Sequence, residues 1–210
     1  MNLKLFIPAL FILLLGCGAD SETDKTEKLE TATNGTATKD DKKKKGKQLF
    51  DIKAAKIEFK YTGGPETGTE ILYFDDYGAV AVLVVDKKTQ YGRTNQTITW
   101  QDGKGMIIDH EKKNVVKAFF RSKATEPPSI ADTPEETRKS IGYEKMPSET
   151  IAGKECEVWF NAKQNIKYWL WNKIDLKLEN QKAYTKEATS VEEISGIPAS
   201  ILEIPKEYKQ

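Results

Sequence analysis

Ala79-Val80-Ala81-Val82-Leu83-Val84-Val85 is apolar at every position. A strand that shows one face to water alternates apolar and polar residues. This run does not, so it reads as a strand covered on both faces. Upstream, Ile57-Glu58-Phe59-Lys60-Tyr61 does alternate, as a half-buried strand should. Thr62-Gly63-Gly64-Pro65 ends it, and Thr69 to Phe74 forms the next strand. Asp75-Asp76-Tyr77-Gly78 is a turn. Downstream, Thr94 to Gln101 and Met106 to Asp109 flank Asp102-Gly103, a hairpin signal that sets Trp100 opposite Gly105 and Ile98 opposite Ile107. His110 to Asn114 is a polar turn, and Val115 to Phe120 resumes the apolar pattern.

Pro127-Pro128 breaks regular structure, and residues 132–142 carry helix signals. Thr133 is the expected N-cap, Pro134 stands at the first helical position, Glu136 completes a capping box and Gly142 is the stop. Strands then return. Gly153 to Phe160 and Ile166 to Trp171 form a hairpin around Asn161 to Asn165, and Leu176 to Leu178 and Ala183 to Ile194 add further strands. The expected fold class is mainly β (α+β): a curved antiparallel sheet or half-barrel with one or a few short helices. No repeat of 20 to 50 residues interrupts residues 49–210, which read as a single folded domain.

The N-terminal residues are different. Lys4 precedes an apolar run from Leu5 to Leu15, which is shorter than the ~20 residues of a spanning helix and suits a secretory signal. It ends Leu14-Leu15-Gly16-Cys17, which resembles the lipobox of bacterial lipoprotein signal peptides. That resemblance implies cleavage after residue 16 and acylation of Cys17, with several chains giving stable anchoring. Gly18 rather than Asp follows the cysteine, which under the enterobacterial sorting rule favours the outer membrane. In residues 17–48 the apolar side chains after Cys17 are only Ala19, Leu29, Ala32 and Ala37. Such a stretch buries too little to offset its ordering entropy, so it reads as a disordered tether with a root-mean-square span of about 30 Å. The acidic residues Asp20, Glu22 and Asp24 resemble a surface-export signal of some Bacteroidetes lipoproteins. Lys42 to Lys45 and Lys47 form a basic cluster, either a solvated linker end or a contact for anionic headgroups.

Composition narrows the function. The 210 residues carry 33 Lys+Arg against 32 Asp+Glu, and that balance argues against a nucleic-acid partner. One histidine and two cysteines leave little material for a zinc site or a triad. His110, between Asp109 and Glu111, reads as part of an exposed turn rather than a general base. Cys156, on a face with Val158 and Phe160, reads as a buried small hydrophobe. Asp75-Asp76 lacks the spaced acids of a calcium loop. No enzyme activity, cofactor or metal is expected.

The aromatic set Trp159, Tyr168, Trp169 and Trp171 is the candidate contact for an apolar ligand. Trp169 and Trp171 share a strand face with Lys167, while Ile166, Tyr168 and Leu170 share the other. An aromatic strip beside a lysine suits a lipid or a glycan, and the same residues equally make plain core packing.

Three local patterns carry a wider resemblance: the turn Phe74-Asp75-Asp76-Tyr77-Gly78, the stretch Ile151 to Trp159, and the ending from Leu202 to Tyr208, Leu-x-Ile-Pro-x-x-Tyr. Together they resemble the outer-membrane lipoprotein-carrier superfamily typified by LolA and LolB. The resemblance implies an open half-barrel whose cavity accepts acyl chains, with helices across its mouth. The carriers have several helices where this chain signals one, and no functional residue of theirs has a counterpart to transfer. Two readings follow. One is a membrane-anchored envelope lipoprotein that binds or relays a lipid or other apolar ligand. The other is a non-enzymatic interaction or structural lipoprotein that docks an envelope protein partner. Both place the chain at the cell envelope, on the periplasmic or surface face of the outer membrane.

Overall fold

Strand alternation builds the sheet much as the sequence dictates. The computed structural model describes residues 48–101, 104–119, 129–181 and 183–208. The expected signal segment, Cys17, nearly all of the expected tether, the Asp102-Gly103 tip and Pro127-Pro128 lie outside the described residues. The strands are β1 (Ala55–Thr62), β2 (Thr67–Asp75), β3 (Val80–Thr89), β4 (Gly92–Gln101), β5 (Lys104–Asp109), β6 (Asn114–Phe119), β7 (Glu144–Ile151), β8 (Lys154–Asn161), β9 (Ile166–Trp171), β10 (Ile174–Asn180) and β11 (Tyr184–Glu193). One short helix, α1 (Glu135–Ser140), precedes β7. All eleven strands join one antiparallel sheet in the order β6-β5-β4-β3-β2-β1-β11-β10-β9-β8-β7. The sheet is not closed, and β6 and β7, consecutive in the chain, form its two edges. It is a curved sheet or half-barrel.

The β4–β5 register is the expected one, with Trp100 opposite Gly105 and Ile98 opposite Ile107. β3 is covered on both faces: Ala81 and Leu83 are buried on one, Val82 on the other. The main core joins Ile57, Phe59, Leu72, Phe74, Leu83 and Trp100 of β1–β4 to Val158, Trp169 and Leu176 of β8–β10. Each such side chain contributes roughly 1.5–3 kcal/mol by leaving water. A second cluster lies on the other face of β8 and β9, where Trp159 and Tyr168 meet Leu178, Ile130, Ala131 and Tyr143. Arg138 of α1 fastens this layer. Its Nε and one terminal nitrogen donate to the carbonyls of Ile130 and Ala131, each at 3.0 Å, and its guanidinium stands over the Trp159 ring.

One expectation is corrected, and one strand is added. The capping box does not form: α1 starts one residue late, with Pro134 at the N-cap and no side-chain cap bond. The Gly142 stop does form. Gly142 takes φ +93° and donates to Lys139 while Tyr143 donates to Arg138, the paired bonds of a Schellman ending. The added strand is β7, which lies beyond the strands expected from the sequence. It is an edge strand with seven exposed residues and a register shift between Met146 and Glu149, around Pro147. Packing does not select its residues, and an edge tolerates the proline.

The acid-aromatic-glycine turn has a physical account. Asp75 Oδ1 accepts the Asp76 N–H at 2.7 Å, and Asp76, Tyr77 and Gly78 are all left-handed. The Tyr77 carbonyl accepts from Leu49 and Phe50, which lays the Phe50 ring over Gly78. A Cβ at Gly78 would stand 2.7 Å from that ring, so only glycine fits.

Candidate functional site

Register places two rows of side chains on the face of β3–β6 opposite the main core. Val80, Gln101 and Lys104 form one row, and Val82, Thr99, Met106 and Lys117 form the next. The residues between them, Ala81 and Trp100, turn into the main core. The C-terminal segment crosses this second face. Gly196 lies against Asp75 at the end of β2, and the 3-10 turn Ala199–Leu202 follows. Between Leu202 and the two rows lies a cavity of about 710 Å³. Val80, Val82, Met106 and Leu202 supply its apolar wall, and Gln101, Lys104 and Lys117 its polar rim. The Thr99 hydroxyl, also on the wall, accepts the Met106 N–H at 3.2 Å.

His110 holds the segment's end. Its Nδ1 is 3.1 Å from the Tyr208 hydroxyl and its Nε2 is 3.0 Å from the Thr97 hydroxyl, with the His110 and Tyr208 rings edge-on at 5.8 Å. His110 is therefore half-buried and doubly bonded, not the free exposed turn residue its neighbours suggested. Both partners are hydroxyls, which donate or accept as the ring requires. Asp109 does not orient the imidazole. Its Oδ1 accepts the backbone N–H groups of Glu111 and Lys112, and its Oδ2 accepts from the Gln96 side-chain amide. These bonds, the Lys112 one foremost, hold its carboxyl below the usual range. The histidine thus ties the end of the segment to β4 as a latch, and among the described residues both of its ring nitrogens bond hydroxyls.

The other sequence candidates stand elsewhere. Trp159, Tyr168 and Trp169 are buried in the two cores, and Trp171 packs beside the main one. The Trp169 ring has Lys167 at 4.4 Å and Lys177 at 4.7 Å, and its Nε1 donates to Glu149 at 2.8 Å. Lys154 stands 4.8 Å from the Trp171 ring, and Tyr168 meets Tyr143 edge-on. None of the four lines the cavity described above. Cys156 is buried, its thiol donates to the Lys154 carbonyl at 3.4 Å, and burial pushes that thiol's pKa up, away from the reactive thiolate. Among the described residues no three His, Cys, Asp or Glu side chains group as metal ligands would.

A buried charged cluster sits beyond the main core. Glu70 accepts from Tyr61 Oη at 2.9 Å, pairs with Lys186 Nζ, and has Lys87 Nζ at 3.6 Å. Lys186 lies 4.2 Å from the Phe59 ring and Lys87 lies 3.8 Å from the Tyr61 ring. Every member is accounted for, so the cluster reads as an internal ion network. The sequence signals neither it nor the cavity. The nearest hint is the ending Leu202 to Tyr208, whose first and last residues are the lid and the latch.

No protein-family model matches the chain, and no curated protein matches it. Solved structures resemble it. An uncharacterised conserved protein from Thermus thermophilus superposes with a TM-score of 0.50 at 5% identity, covering 75% of this chain and 88% of that one. MucB gives 0.45 at 12% identity, and the Pseudomonas aeruginosa MucA/MucB complex gives 0.46 at 15%. These cover 77% and 74% of this chain, and 61% and 57% of theirs, so the chain spans about three-fifths of MucB. The likeness to the Thermus protein is one of fold.

Proposed function

We propose that this chain is a membrane-anchored, non-enzymatic envelope lipoprotein whose β domain holds or relays an apolar ligand between β3–β6 and the C-terminal segment. The observation that carries the reading is the cavity of about 710 Å³ with its wall of Val80, Val82, Met106 and Leu202. Small-molecule sites fall in this size range and combine an apolar lining with a few polar groups at fixed places. The lipobox-like Leu14-Leu15-Gly16-Cys17 supports the anchor. The second reading, docking of an envelope protein, draws on the main core, which the chain fills with its own side chains.

Native mass spectrometry of the full chain from its own membranes tests the ligand. A co-purifying apolar adduct is expected, and Met106→Trp should abolish it. Met106 is half-buried on the cavity wall, so the indole fills open space, and stability should stay within about 0.5 kcal/mol. Reproducible absence of any adduct on the unaltered chain would leave only the docking reading. Separately, Cys17→Ser should move the protein from the membrane fraction to the soluble one. Retention in the membrane after that change would remove the acyl anchor from the proposal.

A further inference from the structure

We infer that the ligand is a single-chain anionic amphiphile, with its alkyl chain along Val80, Val82, Met106 and Leu202 and its acidic head between Lys104 and Lys117. This rests on the cavity being a ligand site and specifies the ligand's chemistry. Two observations carry it.

The first is charge. Among the strand lysines, Lys56, Lys145, Lys154, Lys167 and Lys177 each reach a carboxylate, whereas Lys60 and Lys88 reach none among the described residues and line no part of the cavity. Lys104 and Lys117 line the cavity and form no ion pair with any described residue, and among the described residues no carboxylate lines the cavity with them. Lys104 pairs with Phe119, and Lys117 lies two residues along the same strand, so the two lysines are diagonal neighbours on one face. Such neighbours are about 7–8 Å apart. That spacing lets one acidic group accept from both ammonium groups, whose aliphatic stems bend readily toward an apolar mouth. Gln101, opposite Lys104, adds an amide donor at the same rim.

The second is shape. The cavity crosses four strands, β3 to β6, and two residue rows. At the spacings of a sheet, this floor is about 14 Å long and about 7 Å wide. One extended alkyl chain lies along that floor with its length across the four strands. The polar end falls at β5 and β6, so the tail runs from there toward Val80 and Val82 on β3 under Leu202.

The test is calorimetric titration of the full chain carrying Cys17→Ser, which keeps detergent out of the assay. The probes are laurate, dodecyl phosphate, dodecanol and inorganic phosphate, the amphiphiles below their micelle concentrations. Laurate and dodecyl phosphate should bind at least about tenfold more tightly than dodecanol. The double change Lys104→Gln with Lys117→Gln should remove that advantage and leave dodecanol binding unaltered. Equal affinity for dodecanol and the two anions, unmoved by the double change, would overturn the anionic head while the apolar-ligand reading stands. Inorganic phosphate binding as tightly as dodecyl phosphate would overturn the amphiphile. Binding of none of the four would remove the cavity as a ligand site, and both proposals with it.

Discussion

Glu70→Leu should lower the unfolding free energy by about 3–5 kcal/mol, read by urea denaturation of the full chain, whereas Glu70→Leu with Lys186→Met should recover most of the loss. Glu70 is 4% exposed and stands in the sheet between Phe59 of β1 and Val85 of β3. Its carboxylate is acceptable there because the Lys186 and Lys87 ammonium groups and the Tyr61 hydroxyl all face it. Removing the carboxylate alone strands the Lys186 ammonium, itself 8% exposed, against the Phe59 ring. Removing both charges leaves two apolar side chains in an apolar place. A double change no better than the single one would show that the pair's desolvation is not what dominates.

The same cluster gives stability a pH dependence with a definite sign. Burial pushes the Glu70 carboxyl up, but Lys186, Lys87 and the Tyr61 bond outweigh it, and the group settles below its ordinary value of 4.5. Burial also drives the Tyr61 phenol upward, so it remains a donor. A carboxyl lowered by folding binds its proton more readily in the unfolded chain. Its contribution is whole above the ordinary glutamate range and is lost as pH falls through 4.5 and then through the folded value. The urea midpoint should therefore fall over that acid range, and it should fall less in Glu70→Gln.

The second large effect is expected at Trp169, where replacement by Ala should cost about 3–5 kcal/mol by the same measurement. The indole is 2% exposed and pairs across the sheet with Val158 on one side and Lys177 on the other. Its removal leaves a void in the main core, takes a donor from Glu149, and strips Lys167 and Lys177 of the ring they stack on. Glu149 keeps its Lys167 partner at 2.8 Å, so the void is the larger loss. Trp169→Phe should cost less, because it refills most of the void and forfeits only the N–H. Trp171→Ala, at a half-buried position, should also cost less than Trp169→Ala. If all three changes cost the same, burial of the Trp169 indole is not what holds this part of the core.

Most strands were legible because period-two patterning reports a half-buried strand directly. Ile57 to Tyr61 and the Trp100–Gly105 register are instances. The unbroken run from Ala79 to Val85 was legible as doubly covered for the same reason, although nothing local named the C-terminal segment as a cover. β7 was not legible because an edge strand places no demand on its side chains. The capping residues of α1 were misleading. Thr133 has the right chemistry, but its N–H is already committed to the Ile130 carbonyl and the helix opens at Pro134 instead. The aromatic strip was legible as two faces of one strand, and the structure places apolar neighbours against both. The cavity is tertiary: Leu202 and Met106 are far apart in the chain, as are Tyr208 and His110, and no window of sequence joins them.

The strand order has a consequence for how the chain reaches this state. β1 to β6 are joined successively, and so are β7 to β11, each partner being the next strand in the chain. Each half is therefore a meander whose contacts close short loops, the condition for fast local assembly. Only β1 with β11, from Ala55 opposite Glu193 to Thr62 opposite Thr185, spans the length of the domain. The entropy of loop closure rises only logarithmically with length, so that single long closure is feasible once two preformed meanders present it with complementary edges. Glu70 and Lys186 lie on opposite sides of the seam, β2 and β11, and can meet only after it zips. Their ion pair is thus expected to form only once the two meanders have joined.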